Sequence, residues 1–124
     1  MAVADVLFGI MAEKVAAEGT KMVRRVGAVF RFMVTIPASG GEAELQKVWL
    51  VDLKNGTGSI KEGDTESPAE ATIELDEANL LLICSGKLTP QAAFMKGKMK
   101  VKGSVMKSMK LNSLLKGIKV PSKL

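Results

Sequence analysis

Apolar residues at Val3, Leu7, Ile10, Met11 and Val15 recur every three or four positions with Glu13, Lys14 and Glu18 among them, which predicts an amphipathic helix from Ala2 to Glu18. Gly19 predicts its stop, and TKMVRRV a further short turn of helix. The period then falls to two. In AVFRFMVTI, residues Phe30, Phe32, Val34 and Ile36 take one face and Arg31, Met33 and Thr35 the other, a strand ending at PASGG. A second strand covers about Ala43 to Leu53 and a third about Gly58 to Glu62, joined at KNGTG, where Asn-Gly is a hairpin signal. The polar stretch EGDTESPAE, carrying Pro68, predicts a loop that crosses to a fourth strand, EATIEL.

Asp76 offers an N-cap for a helix over EANLLLICS, and Gly86 its stop. Thr89 followed by Pro90 repeats the device for QAAFMK, closing at Gly97. In KMKVK, residues 98 to 102, strict alternation sends Met99 and Val101 to one face and Lys98, Lys100 and Lys102 to the other. Ser104 can then cap a final helix whose apolar stripe, Val105, Met106, Met109, Leu114 and Ile118, runs beside Lys107, Lys110 and Lys116. These periods place Met99, Val101, Met106 and Met109 inward and their lysines in solvent. The order of elements predicts an α+β domain, its sheet covered on one face by helices.

Composition narrows what such a domain can do. At 124 residues the chain fits one domain, and 47% of it is hydrophobic, yet aromatics are only 4% while methionine occurs 8 times. Pliable, unbranched methionine suits both the wall of a cavity for varied guests and a solid core, and composition leaves both open. A net charge of +5 favours anionic partners such as nucleic acid, an anionic lipid surface or the phosphates of an acyl carrier. Single-stranded nucleic acid also needs stacking platforms, and one Trp, no Tyr and four Phe supply few. Cys84, in LLLICSG, has no intramolecular partner and predicts a buried thiol in a reducing compartment. The stretch MAVADVLFGIM lacks a basic region and carries Asp5, against a secretory signal. LLLIC is far short of the ~20 apolar residues of a membrane helix.

Catalysis has little to stand on. With no histidine and one cysteine, His-dependent triads, most zinc sites and cysteine-based clusters are excluded, so neither catalytic residues nor a metal or other cofactor is expected. NGTG leads from strand to strand, where a dinucleotide loop would have to open a helix. Asp52 and Lys54 can pair or hold the turn, or Asp52 can serve as a catalytic carboxylate. Arg24 and Arg25 form either a charged fork near a pocket mouth or a solvated basic turn. Gln91, beside Phe94 and Met95, either contacts a ligand head group or helps its helix begin.

The stretches VFRFMV, VWLVDLKNGTGSI, AEATIEL, GKLTPQAAFMKGKMKVKG and SVMKSMKL follow one another in an order and spacing that resemble the sterol carrier protein 2 domain family. Its W-x-V-D-x-K-N-G run is matched from Trp49 to Gly56, and its G-K-x-x-P-x-x-A-F-x-x-G-K-x-K-x-x-G run from Gly86 to Gly103. The resemblance covers nearly the whole chain and is similar to the small, single-domain members. It implies a five-stranded mixed sheet backed by helices over residues 1–121, with an apolar tunnel for fatty acid, acyl-CoA, phospholipid or sterol. Carried over by motif, Phe32, Trp49, Phe94, Met95, Met99, Val101, Met106, Met109 and Leu114 are the lipid-side candidates, Gln91 the polar contact, and Arg24 and Arg25 head-group candidates from charge. The implied function is a soluble carrier that binds and transfers lipid without catalysis and meets anionic membranes transiently. A thioesterase-type enzyme, or a domain presenting substrate to peroxisomal β-oxidation enzymes, is the alternative. Ser122, Lys123 and Leu124 spell a tripeptide that the peroxisomal import receptor reads at a free carboxyl terminus, so the expected location is the peroxisome.

Overall fold

The structure of the protein, a computed structural model, describes residues 2–38, 43–116, 118 and 120. In chain order the elements are α1 (Val3–Val26), β1 (Ala28–Ile36), β2 (Leu45–Leu53), β3 (Ser59–Glu62), β4 (Ala71–Asp76), α2 (Glu77–Cys84), α3 (Pro90–Met95), β5 (Met99–Gly103), α4 (Val105–Met109) and α5 (Asn112–Lys116). The five strands form one sheet in the order β3-β2-β1-β4-β5. Only the β1–β4 pair is parallel, so the sheet is mixed, and its edges are β3 and β5. The fold class is α+β, with helices on one face.

Gly19 does not end the first helix. α1 runs 24 residues without a break, because what Gly19 supplies is room: a Cβ there would lie 1.7 Å from the Thr57 carbonyl oxygen in the β2–β3 turn. The stop is Gly27, whose φ of +62° suits glycine and whose N–H donates to the Val23 carbonyl at 3.0 Å. The sequence offered two glycines, and only the packing of α1 on the hairpin distinguishes their roles.

The other caps follow the expectation. Asp76 Oδ1 accepts from the Asn79 amide at 2.7 Å, Thr89 Oγ1 from Ala92 at 3.1 Å and Ser104 Oγ from Lys107 at 3.2 Å. The single final helix expected after Ser104 is two short ones. Lys110 and Leu111 donate to the carbonyls three residues back, Lys107 and Ser108, each at 3.1 Å. That tighter turn shifts the phase of the apolar stripe, so Leu111, Leu114 and Leu115 are buried while Met106 is left outside.

One sheet face carries Phe30, Phe32, Val34, Trp49, Val51, Leu53, Ala71, Ile73, Leu75 and Met99, all buried against the helices. α1 packs over it against β2 and β3, and α2 and α5 pack on α1. On the opposite face Arg31 holds the 63–70 loop: its Nε donates to the Asp64 carbonyl at 3.3 Å and its Nη2 to the Ser67 carbonyl. Val29 and Leu50, which alternation also points to that face, are buried.

Candidate functional site

The register sets Trp49, Phe32, Ile73 and Val101 side by side in one row across four strands. Val34, Leu75 and Met99 form the next row. Phe8 of α1 lies over the first row, stacked on Trp49 with ring centres 4.2 Å apart and edge-on to Phe32 at 5.4 Å. Leu80 and Ile83 of α2 and Leu111, Leu114 and Leu115 of the C-terminal segment belong to the same buried cluster, with Val101 and Met109 half-buried at its margin. The structure therefore brings together Phe32, Trp49, Met99, Val101, Met109 and Leu114.

It does not bring in the rest. Gln91 is exposed, Phe94 is 38% exposed, Met95 76% and Met106 80%. The inward orientation expected for Met106 is thus corrected: in α4 the buried residue is Ser108, and two residues of helix rotate about 200°. In α3 the buried residues are Pro90 and Ala93, which leaves Phe94 and Met95 outward. Arg24 and Arg25 are exposed in the last turn of α1, where cations complement the helix dipole. Arg25 lines a cleft of about 140 Å³ with Lys14, Glu18, Lys21 and Met22. Ser122, Lys123 and Leu124 lie outside the described residues.

Two residues were missed. Phe8 falls on the Ala4, Phe8, Met11, Val15 stripe, so the helical period that marked Met11 also marked it. Asn112, at the start of α5, carries a buried Oδ1 with no hydrogen-bond partner among the described residues. Such an oxygen costs about 1–3 kcal/mol unpaired and can accept from a hydroxyl. Nothing in its sequence context distinguished it from a surface asparagine.

Charge stays at the rim. Beside the Trp49 ring, at 6.0 Å from its centre, Lys47 Nζ lies 2.8 Å from Asp5 Oδ1, whose hydrogen bond raises the lysine above its ordinary pKa. Asp52 serves the hairpin: its Oδ1 accepts from the Lys54 and Asn55 amides at 2.9 and 3.0 Å, and its Oδ2 from the Asn55 side chain at 3.0 Å. Lys54 pairs with Glu70 at 2.9 Å. Burial pushes the Cys84 thiol up to about 12, so it stays protonated and unreactive.

Clefts open to the surface on both faces of the sheet. One, of about 460 Å³, lies on the outer sheet face between Val29, Lys54, Ser67, Pro68 and Glu70. A second, of about 220 Å³, opens beside Asp5, Phe8, Gly9, Trp49 and Glu62 at the end of the first row. Of the residues that the resemblance sets on a tunnel, Phe32, Trp49, Met99 and Leu114 lie in the buried cluster. Among the described residues there is no cluster of three or more His, Cys, Asp or Glu able to hold a metal, and no helix long and apolar enough to cross a membrane.

Comparison with known proteins agrees with this architecture. The SCP-2 sterol transfer family matches residues 10–116. The chain is 38% identical over 111 residues to "Sterol carrier protein 2" of Rattus norvegicus, covering 90% of this chain and 19% of that protein. It thus spans about a fifth of the length of that relative. It is also 38% identical over 111 residues to "Non-specific lipid-transfer protein-like 1" of Caenorhabditis elegans, covering 90% of this chain and 88% of that one. Among solved structures, sterol carrier protein 2 of Yarrowia lipolytica superposes with a TM-score of 0.74 at 25% identity, over 90% of this chain and 88% of that one. An Aedes aegypti sterol carrier protein 2, solved in complex with palmitate, matches with a TM-score of 0.57 at 26% identity, over 88% and 97%. With the Trp49–Gly56 and Gly86–Gly103 runs set on the β2–β3 hairpin and on α3–β5 of the same mixed sheet, the chain belongs to the SCP-2 sterol transfer family.

Proposed function

We propose that the chain is a lipid carrier that shields one long apolar tail between the helix-side row of the sheet and the helices above it, and releases it unchanged. The observation that carries this is the unbroken apolar row of Trp49, Phe32, Ile73 and Val101, roofed partly by elements of only five or six residues, α3, α4 and α5. Helices that short are held by packing and not by their own propensity. They can yield to a tail that replaces the contacts they make. The palmitate complex of the Aedes aegypti relative supports a fatty acyl tail as the guest.

The energetics suffice without any side-chain chemistry. Each buried methylene contributes about 0.8 kcal/mol, so about ten of them supply the ~8 kcal/mol of a micromolar complex. Polar groups sit beside Trp49 at one end of the row, Lys47 with Asp5 and Glu62, and α5 opens on the buried, unpartnered Asn112 Oδ1. A head group held there leaves the tail over Phe32. Displacement of a fluorescent long-chain fatty acid by palmitate, palmitoyl-CoA, a lysophospholipid and a sterol tests the reading. Saturable displacement at micromolar concentration by at least one is expected. If none displaces the probe up to its solubility limit, the carrier function is wrong.

A further inference from the structure

Of the five large apolar side chains exposed among the described residues, Leu45 opens β2 and the other four flank β5. Phe94 and Met95 end α3, four or five residues before β5 begins; Val105 and Met106 open α4, two and three residues after it ends. Among the described residues β5 is an edge strand bonded only to β4, and its four steps span about 14 Å. Two apolar knobs thus stand at the two ends of one edge of the described sheet. Between them Lys98, Lys100 and Lys102 are exposed, and Lys96 follows Met95. Lys102 Nζ is 3.6 Å from Glu74, and Glu74 and Asp76 line a cleft with Lys98 and Lys100, so β4 supplies the nearest acids. The charge along the chain is just as uneven. All 13 Asp and Glu lie at or before Glu77, and everything after it bears lysine alone among ionisable carboxylate, lysine and arginine side chains.

We propose that the β5 edge is a membrane-docking surface whose occupant is an anionic phospholipid bilayer. A flat bilayer can meet both ends of a straight strand at once, taking Met95 and Met106 into its interface while the lysines face lipid phosphates. Methionines this exposed cost little to transfer, because they leave water and break no protein contact. Alternation puts the strand's lysines opposite Met99 and Val101, so docking leaves the core row undisturbed. Docking does not require the carrier reading, and the two are tested separately.

The test is co-sedimentation of the full chain with phosphatidylcholine vesicles carrying about one part in four phosphatidylserine, against vesicles of phosphatidylcholine alone. Binding to the anionic vesicles and its loss in about 0.5 M salt are expected. Met95→Gln with Met106→Gln should lower the partition coefficient about tenfold. Lys98→Gln with Lys100→Gln should lower it more than tenfold in low salt. Lys61→Gln, on the far edge strand, should change it less than about twofold. A dye on Met106→Cys, labelled selectively because Cys84 is buried and protonated, should shift to the blue on anionic vesicles. Equal binding by the Met95/Met106 variant, or no dye shift while the protein sediments, overturns the proposed face. A dimer that disappears in the same variant, with no vesicle binding, assigns the edge to a second copy and also overturns it. Fatty acid displacement without vesicles, run on the same preparations, separates failure of docking from failure of lipid carriage.

Discussion

Asp52 is the clearest single-residue device in the structure. Burial works to raise its pKa, but the hydrogen bonds from the Asn55 side chain and from the Lys54 and Asn55 amides outweigh it, and the carboxyl titrates below its ordinary 3.8. A folded value below the unfolded one means that the stability it contributes is present above pH 3.8 and is lost as pH falls through the lower, folded value. Asp52→Asn keeps an acceptor for the two amides but loses the charge and faces the Asn55 amide with another amide. Thermal unfolding should show the variant about 2–5 °C below the parent at pH 7, as a loss of ~1 kcal/mol implies. The gap should close toward pH 2–3, where the parent carboxyl is also neutral. A gap of equal size at both ends of the range would mean that shape, and not charge, holds the turn. The sequence left Asp52 between turn and catalysis; its three short bonds to the hairpin assign it to the turn.

At the scale of elements, the join between α1 and the β2–β3 hairpin decides how the helix layer sits on the sheet. Gly19 lets the helix approach the Thr57 carbonyl to a distance that no side chain permits, whereas an added Cβ at Gly9 meets nothing within 4 Å. Gly19→Ala should therefore destabilise the fold by about 2–3 kcal/mol, because backbone on both sides must part. Gly9→Ala should leave stability unchanged or raise it by up to about 1 kcal/mol, since alanine restricts the unfolded chain and favours helix. Urea unfolding of both variants checks the contrast. If Gly19→Ala proves as mild as Gly9→Ala, the close approach is not what fixes the layer. Strand and cap positions were legible because alternation and Asp, Thr and Ser caps act within a few residues. The break between α4 and α5 was not, because the tightened turn at Lys110 and Leu111 serves the burial of Leu111, Leu114 and Leu115 against helices far away in the chain.

Across the whole molecule, methionine is divided between two jobs. Met11 and Met99 are core, at 0% and 4% exposure, while Met95 and Met106 are in solvent. Met99→Glu puts a carboxylate beside Leu75 in the buried cluster and should lower the melting temperature by more than about 10 °C or prevent folding. Met106→Glu should shift it by less than about 2 °C. Calorimetry on the pair decides whether the two faces of this segment are as assigned; similar losses from both would return Met106 to the interior.

What the sequence determined by itself was the strands and the helices ahead of Gly103, the α+β class and the inward faces of the strands. Alternation, caps and the Asn-Gly turn are local rules, and Trp49–Gly56 and Gly86–Gly103 carried the family on short runs of residues. Tertiary structure alone decided which glycine ends α1, that Phe8 roofs the Trp49 row, that Asn112 has a buried oxygen, and that Met95 and Met106 face outward. Each of these depends on where a second element lies. A short helix such as α3 or α4 has room to bury only one or two residues, and its own sequence offers several apolar candidates for that place; the neighbouring strand chooses Ala93 and Ser108, and the methionines are left to the surface.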